Sequence, residues 1–283
     1  MSLPIDFSAE QYLYLHPDVR LAGIDPAFHY LNWGLREGRP YKPNLDPLLP
    51  RVAGDFNADG LRSRHNHDFL SDPRYVEAYA RGMEACGSDY QWYWRVHIGL
   101  WAARSAAKHS GDFVECGVNY GFLSSAIMKD LDWDSTGKTF YLLDTFSGID
   151  ERYLSAQEKT GDVVNKNQKW IDDGSYTSNI DAVRANFSEW KNVKIIQGSI
   201  PDTLTEIDST QIAYLHIDMN CTNPEVAAIE FLWDRLVPGA IILLDDYAYY
   251  GYQPQKDGMD RWAAKRDIAI ASLPTGQGLL IKP

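Results

Sequence analysis

The sequence predicts an α/β fold: a doubly wound, mostly parallel seven-stranded sheet flanked by helices, preceded by a helical extension. Three observations carry this. From about residue 110 onward, strand-length apolar segments alternate with helix-length amphipathic ones, and that alternation builds a parallel sheet with helices on both faces. The run from Ala240 to Leu244 is apolar without a break, as a central strand buried on both sides requires. The chain has 283 residues, 45% hydrophobic and 23% charged, which suits one large core and a small appendage.

Taken in order, residues 5–41 read as a small helical unit. Ser8 caps a short helix carrying Tyr12 and Leu15, and Pro17 interrupts it. A second helix starts at Pro26, presents Phe28, Leu31 and Leu35 on one face and stops at Gly38. Residues 42–69 read as a linker on the strength of Pro43, Pro47, Pro50, Gly54 and Gly60. The main domain then runs over 70–283. Helices are expected at Pro73–Cys86 and Tyr90–His109, the latter with Trp94, Ile98, Trp101 and Ser105 at helical spacing. Strands are expected at Phe113–Cys116, Thr139–Asp144, Val193–Gln197, Ile212–Asp218, Ala240–Asp245, Ile268–Ser272 and Leu279–Ile281. Helices fit between them at Phe122–Leu131, Ile180–Trp190 and Glu225–Leu236. The polar stretch Glu151–Thr177 is either a lid or a solvated loop.

Composition narrows the function. Lys+Arg is 27 and Asp+Glu is 39, a formal net charge of -12. Such a surface repels phosphate backbones, so no nucleic-acid substrate is expected. The three cysteines, Cys86, Cys116 and Cys221, make no disulfide framework and fit a reducing, cytoplasmic setting. The first ten residues have neither a basic nor an apolar signal-peptide region. No apolar run approaches the roughly 20 residues a membrane span needs.

Ligands of doubly wound sheets bind at the carboxyl ends of the strands. The first strand ends in Glu115-Cys116-Gly117-Val118-Asn119-Tyr120-Gly121. Gly117 allows a sharp turn and close approach of a ligand. The pattern lacks the full dinucleotide fingerprint and the Lys and Ser/Thr of a nucleotide P-loop. An acidic residue there suits a cationic ligand better than a pyrophosphate. Asp144, ending the second strand, can accept both hydroxyls of a ribose or simply cap its turn. Ser199 lies where a base edge is read, or caps a helix. Asp218 ends the fourth strand, and Asp245 and Asp246 end the fifth. Three converging carboxylates repel one another unless something cationic sits among them. Their hard oxygens suit Mg²⁺ or Ca²⁺ rather than zinc. His65, His67 and Asp68 read as a surface or capping cluster, His97 as structural, and Cys116 and Cys221 as packing residues. His216 shares a strand face with Asp218 and can tune the site or simply fill the core. The cluster Tyr247, Tyr249, Tyr250 and Tyr252 can stack on a sugar or pack.

Several ordered segments resemble one family. Gly111-Asp112-Phe113-Val114-Glu115-Cys116-Gly117-Val118 resembles the cofactor motif of the macrocin O-methyltransferase family. Leu143-Asp144-Thr145-Phe146-Ser147-Gly148, Gly198-Ser199-Ile200-Pro201-Asp202-Thr203-Leu204, Leu236-Val237-Pro238-Gly239 and Leu244-Asp245-Asp246-Tyr247 continue it, and Leu273-Pro274-Thr275-Gly276-Gln277-Gly278 fits relatives of the group. The resemblance covers about residues 90–283. It implies a Rossmann-like S-adenosylmethionine-dependent enzyme that methylates hydroxyls of sugars on natural products or glycans. It implies a cofactor site of Glu115, Gly117, Asn119, Tyr120, Gly121, Asp144, Thr145 and Ser199. Of these, Glu115 and Gly117 would lie beside the methionine part, Asp144 at the ribose and Ser199 near the adenine. Asp218, Asp245 and Asp246 would match the family's metal carboxylates. The family often has Asp-x-Asp-x-Tyr after the fourth strand. Here Asn220 replaces an acid and Cys221 a tyrosine. Residues 14–39 resemble a small module found beside bacterial glycan-synthesis enzymes, which implies docking to a glycan-assembly partner. A homo-oligomer is compatible with this reading.

The expected chemistry is in-line methyl transfer to a hydroxyl, with a divalent ion lowering the hydroxyl pKa; Asp218 is the best placed side chain to take the proton, but as a metal ligand it would be a weak base, so the proton acceptor stays unassigned. Rival readings are a nicotinamide oxidoreductase, disfavoured by the incomplete glycine fingerprint; a catalytically silent cofactor- or glycan-binding protein on the same fold; and a calcium-stabilised structural module. Fold alone does not choose among them.

Overall fold

The computed structural model describes residues 3–4, 7–41 and 56–283. The chain divides into two compact units, one within Met1–Gly54 together with Asn66–Val76, the other Asp55–His65 together with Glu77–Pro283.

The smaller unit is built on short helices. Ser8 accepts from the Gln11 amide and starts α1 (Ala9–Leu15). Pro17 opens a new helix, α2 (Pro17–Leu21), at the one helical position where its missing N–H costs nothing. After α3 (Pro26–His29) a π-turn spans Tyr30–Gly34 before α4 (Leu35–Glu37), and Gly38 closes in the left-handed region. The π-turn rotates the buried stripe. The core is therefore Tyr12, Val19 and Tyr30, while Phe28 and Leu35, expected inside, are exposed. Gly34 faces the Tyr12 hydroxyl, where an added Cβ would lie only 2.3 Å away.

The stretch read as a linker is partly ordered. Residues 42–55 lie outside the described residues. Phe56–Ala58 (β1) and Leu61–Ser63 (β2) form an antiparallel hairpin. Its turn, Asp59-Gly60, has positive φ at both positions, the requirement of a two-residue hairpin loop. Gly60 is thus a turn residue rather than a breaker. A 3₁₀ turn follows at Asp68–Ser71.

Helix α5 (Pro73–Cys86) begins in the smaller unit and runs from Glu77 in the larger one, which continues with α6 (Tyr93–Ala106). The buried face of α6 is Arg95, Val96, Gly99, Leu100, Ala102, Ala103 and Ala106. It is not the expected Trp94–Ile98–Trp101–Ser105 face, and Trp101 is exposed. Small residues win because the neighbouring helix comes close: a Cβ on Gly99 would lie 2.7 Å from Leu123 Cδ1.

Strands β3 (Asp112–Cys116), β4 (Phe140–Asp144), β5 (Val193–Gln197), β6 (Ile212–Ile217), β7 (Leu236–Leu244), β8 (Ala271–Ser272) and β9 (Gly278–Ile281) form one sheet in the order β5-β4-β3-β6-β7-β9-β8. The first five are parallel and β9 runs antiparallel to both its neighbours. Helices α7 (Phe122–Leu131), α8 (Trp133–Thr136), α9 (Ala156–Thr160), α10 (Val163–Asp172), α11 (Ile180–Asn186), α12 (Thr222–Leu232) and α13 (Gln253–Ala264) occupy the connections. The polar stretch 151–177 is therefore mainly helical. Helix α13 was masked in the sequence by Pro254 and Gly258. Pro254 sits in the first turn, where it is welcome. Gly258 makes room for Thr222 of α12, whose Cγ2 would lie 2.5 Å from an added Cβ. Every residue of β6 is buried, as a central parallel strand demands. Among the described residues, no helix is long and apolar enough to cross a membrane.

Leu215, in the middle of β6, is fully buried. Leu215→Ala is expected to cost about 2–5 kcal/mol, read as a lowered midpoint in urea unfolding with an unchanged slope.

Candidate active site

Sheet order reverses between β3 and β6, so a crevice opens at their carboxyl ends. Gly117 follows β3 with φ +90°. Its amide donates to the Leu143 carbonyl (2.8 Å), and the Asp218 amide donates to the Cys116 carbonyl (2.8 Å). A Cβ at position 117 would sit 1.7 Å from the Asp218 carbonyl oxygen, so only glycine fits there. A cavity of about 380 Å³ lies at this point. It is lined by Glu115, Gly117, Asn119, Tyr120, Asp144, Thr145 and Ser199, and by Asp218, Asp245 and Asp246. Of the expected residues, Gly121 alone is off the wall. It precedes α7 with φ +84°, and a Cβ there would meet the Phe187 ring at 2.4 Å, so its work is packing.

At the β3–β4–β5 end, Asp144 braces the glycine turn. Its Oδ2 accepts from the Val118 and Asn119 amides (2.7 and 2.8 Å) and its Oδ1 from the Phe146 amide (2.7 Å). The Thr145 hydroxyl lies 3.4 Å from Oδ1, a weak contact that a ligand hydroxyl can replace. Ser199 donates to Asp150 (2.5 Å). The Asn119 side chain donates to the Ser175 carbonyl and accepts from the Thr177 amide, and the Tyr120 hydroxyl donates to the Gly174 carbonyl. Both side chains thereby tie down the 174–177 segment, leaving the turn's backbone to face the cavity.

The other end holds a buried ionic cluster. Glu115 and His216 pair at 2.8 Å. Burial opposes charge on the imidazole, yet Asp245 and Glu115 hold it up to about 10. Glu115 Oε2 is buried with no hydrogen-bond partner among the described residues. Arg95, buried on α6, donates to Asp245 Oδ2 and to Asp59 Oδ2 (3.2 Å). Its Nη1 lies 3.7 Å from Asp246. Asp245 Oδ1 also accepts from Gln277 (3.1 Å). The guanidinium holds the Asp245 carboxyl well below the usual range, against burial. Asp246 is pushed up to about 7 by burial and by Asp245. Asp218 is pushed well up by burial and by both neighbouring aspartates. Asp218, Asp245 and Asp246 bring ligand oxygens within 4.8 Å of one another, the one such cluster among the described residues. All-oxygen donors carrying surplus negative charge fit a hard divalent cation.

A lid closes on this site. The capping box of α9 joins Ser155 and Glu158. The other oxygen of Glu158 accepts from the Thr222 amide (2.8 Å) and hydroxyl (2.7 Å), at the first residue of α12. Asn223 donates to the Tyr153 carbonyl (2.9 Å). Trp170, Ser175, Tyr176 and Thr177 line the cavity, so 151–177 is a lid and not a solvated loop.

Among the described residues, His65 and His67 belong to no ligand cluster. His97 stands edge-on to Trp94. Burial pushes the thiols of Cys116 and Cys221 up, so neither is a thiolate. Tyr249 and Tyr252 line the cavity, Tyr247 packs with its hydroxyl on Asp260, and Tyr250 is exposed. Sequence reasoning missed Arg95, Trp92, Asp59 and Tyr176. Arg95 left a signal, a charge on the otherwise apolar, small-residue stripe of α6, where an ion needs a partner.

The hydrogen bonds from Ser155 and Thr222 outweigh burial and depress the Glu158 pKa below 4.5. Stability from a depressed carboxylate is present above the unfolded value and lost as pH falls through the folded one. Glu158→Gln is expected to cost roughly 1–3 kcal/mol near neutrality. The melting-temperature gap from wild type should shrink as pH falls below about 4.5, in thermal scans across pH 3.5–7.

A family model described as Macrocin-O-methyltransferase (TylF) matches residues 103–271. A 4'-O-methyltransferase of Streptomyces olivaceus, acting on 8-demethyl-8-(2,3-dimethoxy-alpha-L-rhamnosyl)-tetracenomycin C, is 27% identical over 147 residues, 49% of this chain and 53% of the relative. The chain thus spans about half the length of that curated relative. Among solved structures, the O-methyltransferase NovP superposes with a TM-score of 0.55 at 21% identity, covering 71% of this chain and 88% of that one. The calicheamicin methyltransferase CalS11 gives 0.52 at 14% identity, covering 74% and 93%. Both structures share the fold.

Proposed function

Because the chain belongs to the macrocin-O-methyltransferase (TylF) family, we propose that it is an S-adenosylmethionine-dependent O-methyltransferase acting on a hydroxyl of a sugar or glycosylated natural product, assisted by a divalent ion such as Mg²⁺. The observation that carries the reading is one cavity with two chemically distinct ends. One end has the glycine turn, Asp144 and the orphaned oxygen of Glu115. The other has three carboxylates with oxygens within 4.8 Å of one another. The rhamnosyl substrate named for the Streptomyces relative supports a sugar as acceptor.

The orphaned Glu115 oxygen suits the ammonium of the cofactor's methionine part, and Gly117 lets that part approach the sheet. Asp144 Oδ1 would accept from a ribose hydroxyl in place of its weak Thr145 contact, and Ser199 lies on the wall toward Asp150, on the side assigned to the adenine. S-adenosylmethionine supplies an electrophilic methyl group, and Asp218, Asp245 and Asp246 would hold a divalent ion that lowers the pKa of an adjacent hydroxyl. The chain's own task is alignment: rate comes from holding the acceptor oxygen in line with the methyl. Tyr249, Tyr252 and Tyr176 offer ring faces and hydroxyls to a sugar, and the lid excludes water.

Titration of S-adenosylhomocysteine by calorimetry tests this. Saturable one-site binding is expected, at least about tenfold weaker in Asp144→Ala, since the variant loses a charged acceptor and the brace of the glycine turn. Absence of heat and of thermal stabilisation at millimolar ligand would overturn the reading.

A further inference from the structure

Arg95 and Asp59 lie outside the segment that matches the family model, yet Arg95 reaches its carboxylates and Asp59 holds Arg95. The Arg95 side chain is 7% exposed and that of Asp59 10%. The guanidinium carbon stands 4.6 Å from the centre of the Tyr249 ring and 5.4 Å from that of Trp92, which fixes its plane. Three carboxylates share this one cation. Asp59 takes Nε at 3.2 Å, Asp245 takes Nη1, and Asp246 lies 3.7 Å from the same nitrogen. Asp59 is itself steadied by the Tyr249 hydroxyl (3.1 Å) and by its place in the tight β1–β2 turn. Asp245 is the most committed of the site carboxylates, since Gln277 holds its second oxygen.

We propose that Arg95 is a positioning residue and built-in cation that competes with a divalent ion for Asp245 and Asp246, and that Asp59 sets the strength of that competition by drawing the guanidinium toward the hairpin. The proposal rests on the metal-assisted reading above. A cation bonded to one ligand carboxylate and near a second repels any dication held by the same oxygens, and neutralises part of the charge that would attract it. The site's metal affinity is therefore tuned by residues other than the three carboxylates that would hold the ion. The hairpin becomes a control element: whatever pulls Asp59 off Arg95 turns the arginine wholly onto the aspartate pair.

The test is Mn²⁺ binding to the full-length protein, by calorimetry and by loss of the free-ion electron paramagnetic resonance signal, with S-adenosylhomocysteine affinity and melting temperature measured on the same samples. Arg95→Met should bind Mn²⁺ at least about tenfold tighter than wild type. Arg95→Lys, which keeps the charge, should stay near wild type. Asp59→Asn should bind Mn²⁺ more weakly, by about threefold or more, because the guanidinium loses its counter-pull. The two removals thus move affinity in opposite directions, which a purely structural role for the cluster does not do. Wild type that binds no Mn²⁺ while Arg95→Met does is the extreme form of the expected result. Unchanged or weaker Mn²⁺ binding in folded Arg95→Met overturns the proposal. If Arg95→Met does not fold, unchanged or tighter binding in Asp59→Asn overturns it. Absence of Mn²⁺ binding in every variant overturns it together with metal assistance. S-adenosylhomocysteine binding in those same samples shows whether the methyltransferase reading stands without it.

Discussion

The structure is organised around a surplus of buried negative charge at the carboxyl rim of a parallel sheet. The cavity wall carries Glu115, Asp144, Asp150, Asp218, Asp245 and Asp246, against which stand only Arg95 and His216 among its lining residues. Burying carboxylates is expensive unless each is paired or protonated. Each acid meets that demand differently. Asp144 spends its charge on backbone amides. Glu115 pairs with the His216 imidazole, whose other nitrogen stands 3.7 Å from Asp245. Asp245 takes the guanidinium. Asp218 and Asp246 are left with pKa values raised by burial and by neighbouring acids, which favours their neutral forms unless a cation joins them. The cationic ligand and metal proposed above would supply that missing partner.

The rest of the fold serves that cluster. Parallel pairing of β3 with β4 and β6 brings Glu115, Asp144 and Asp218 to one edge, and β7 delivers Asp245 and Asp246 beside them. The α6 helix contributes its arginine because its stripe of glycine and alanine lets it come close to the layer beneath. The lid is held in part by one carboxylate, Glu158, that caps two helices at once. One side chain thereby couples lid closure to the start of α12, immediately after the turn that carries Asn220 and Cys221. Position 220 retains a link to the site, since its amide reaches toward Asp218 at 3.5 Å.

Much of this was legible in the sequence. The strand segments Val193–Gln197 and Phe113–Cys116 and the helix Phe122–Leu131 stand out because buried strands and amphipathic helices impose local periods. The acids at strand ends were readable for the same reason: once the strands are known, the doubly wound topology places their termini together. Motif order then pointed to the family, and the family match confirmed it.

What sequence alone determined was therefore whatever local pattern and strand order dictate: the α/β class, the glycine turn and the convergence of Asp218, Asp245 and Asp246. Tertiary structure decided the rest. Arg95 and Asp59 are 36 residues apart, and Arg95 and Asp245 are 150 apart, with no local period linking them. The π-turn after His29 rotated a helical face that a regular period would misplace. Gly121 and Gly258 acquired their roles only when Phe187 and Thr222 arrived. Periodicity reports which face of an element is buried, but the partner of a buried charge is chosen by packing between distant elements, and only the folded chain records that choice.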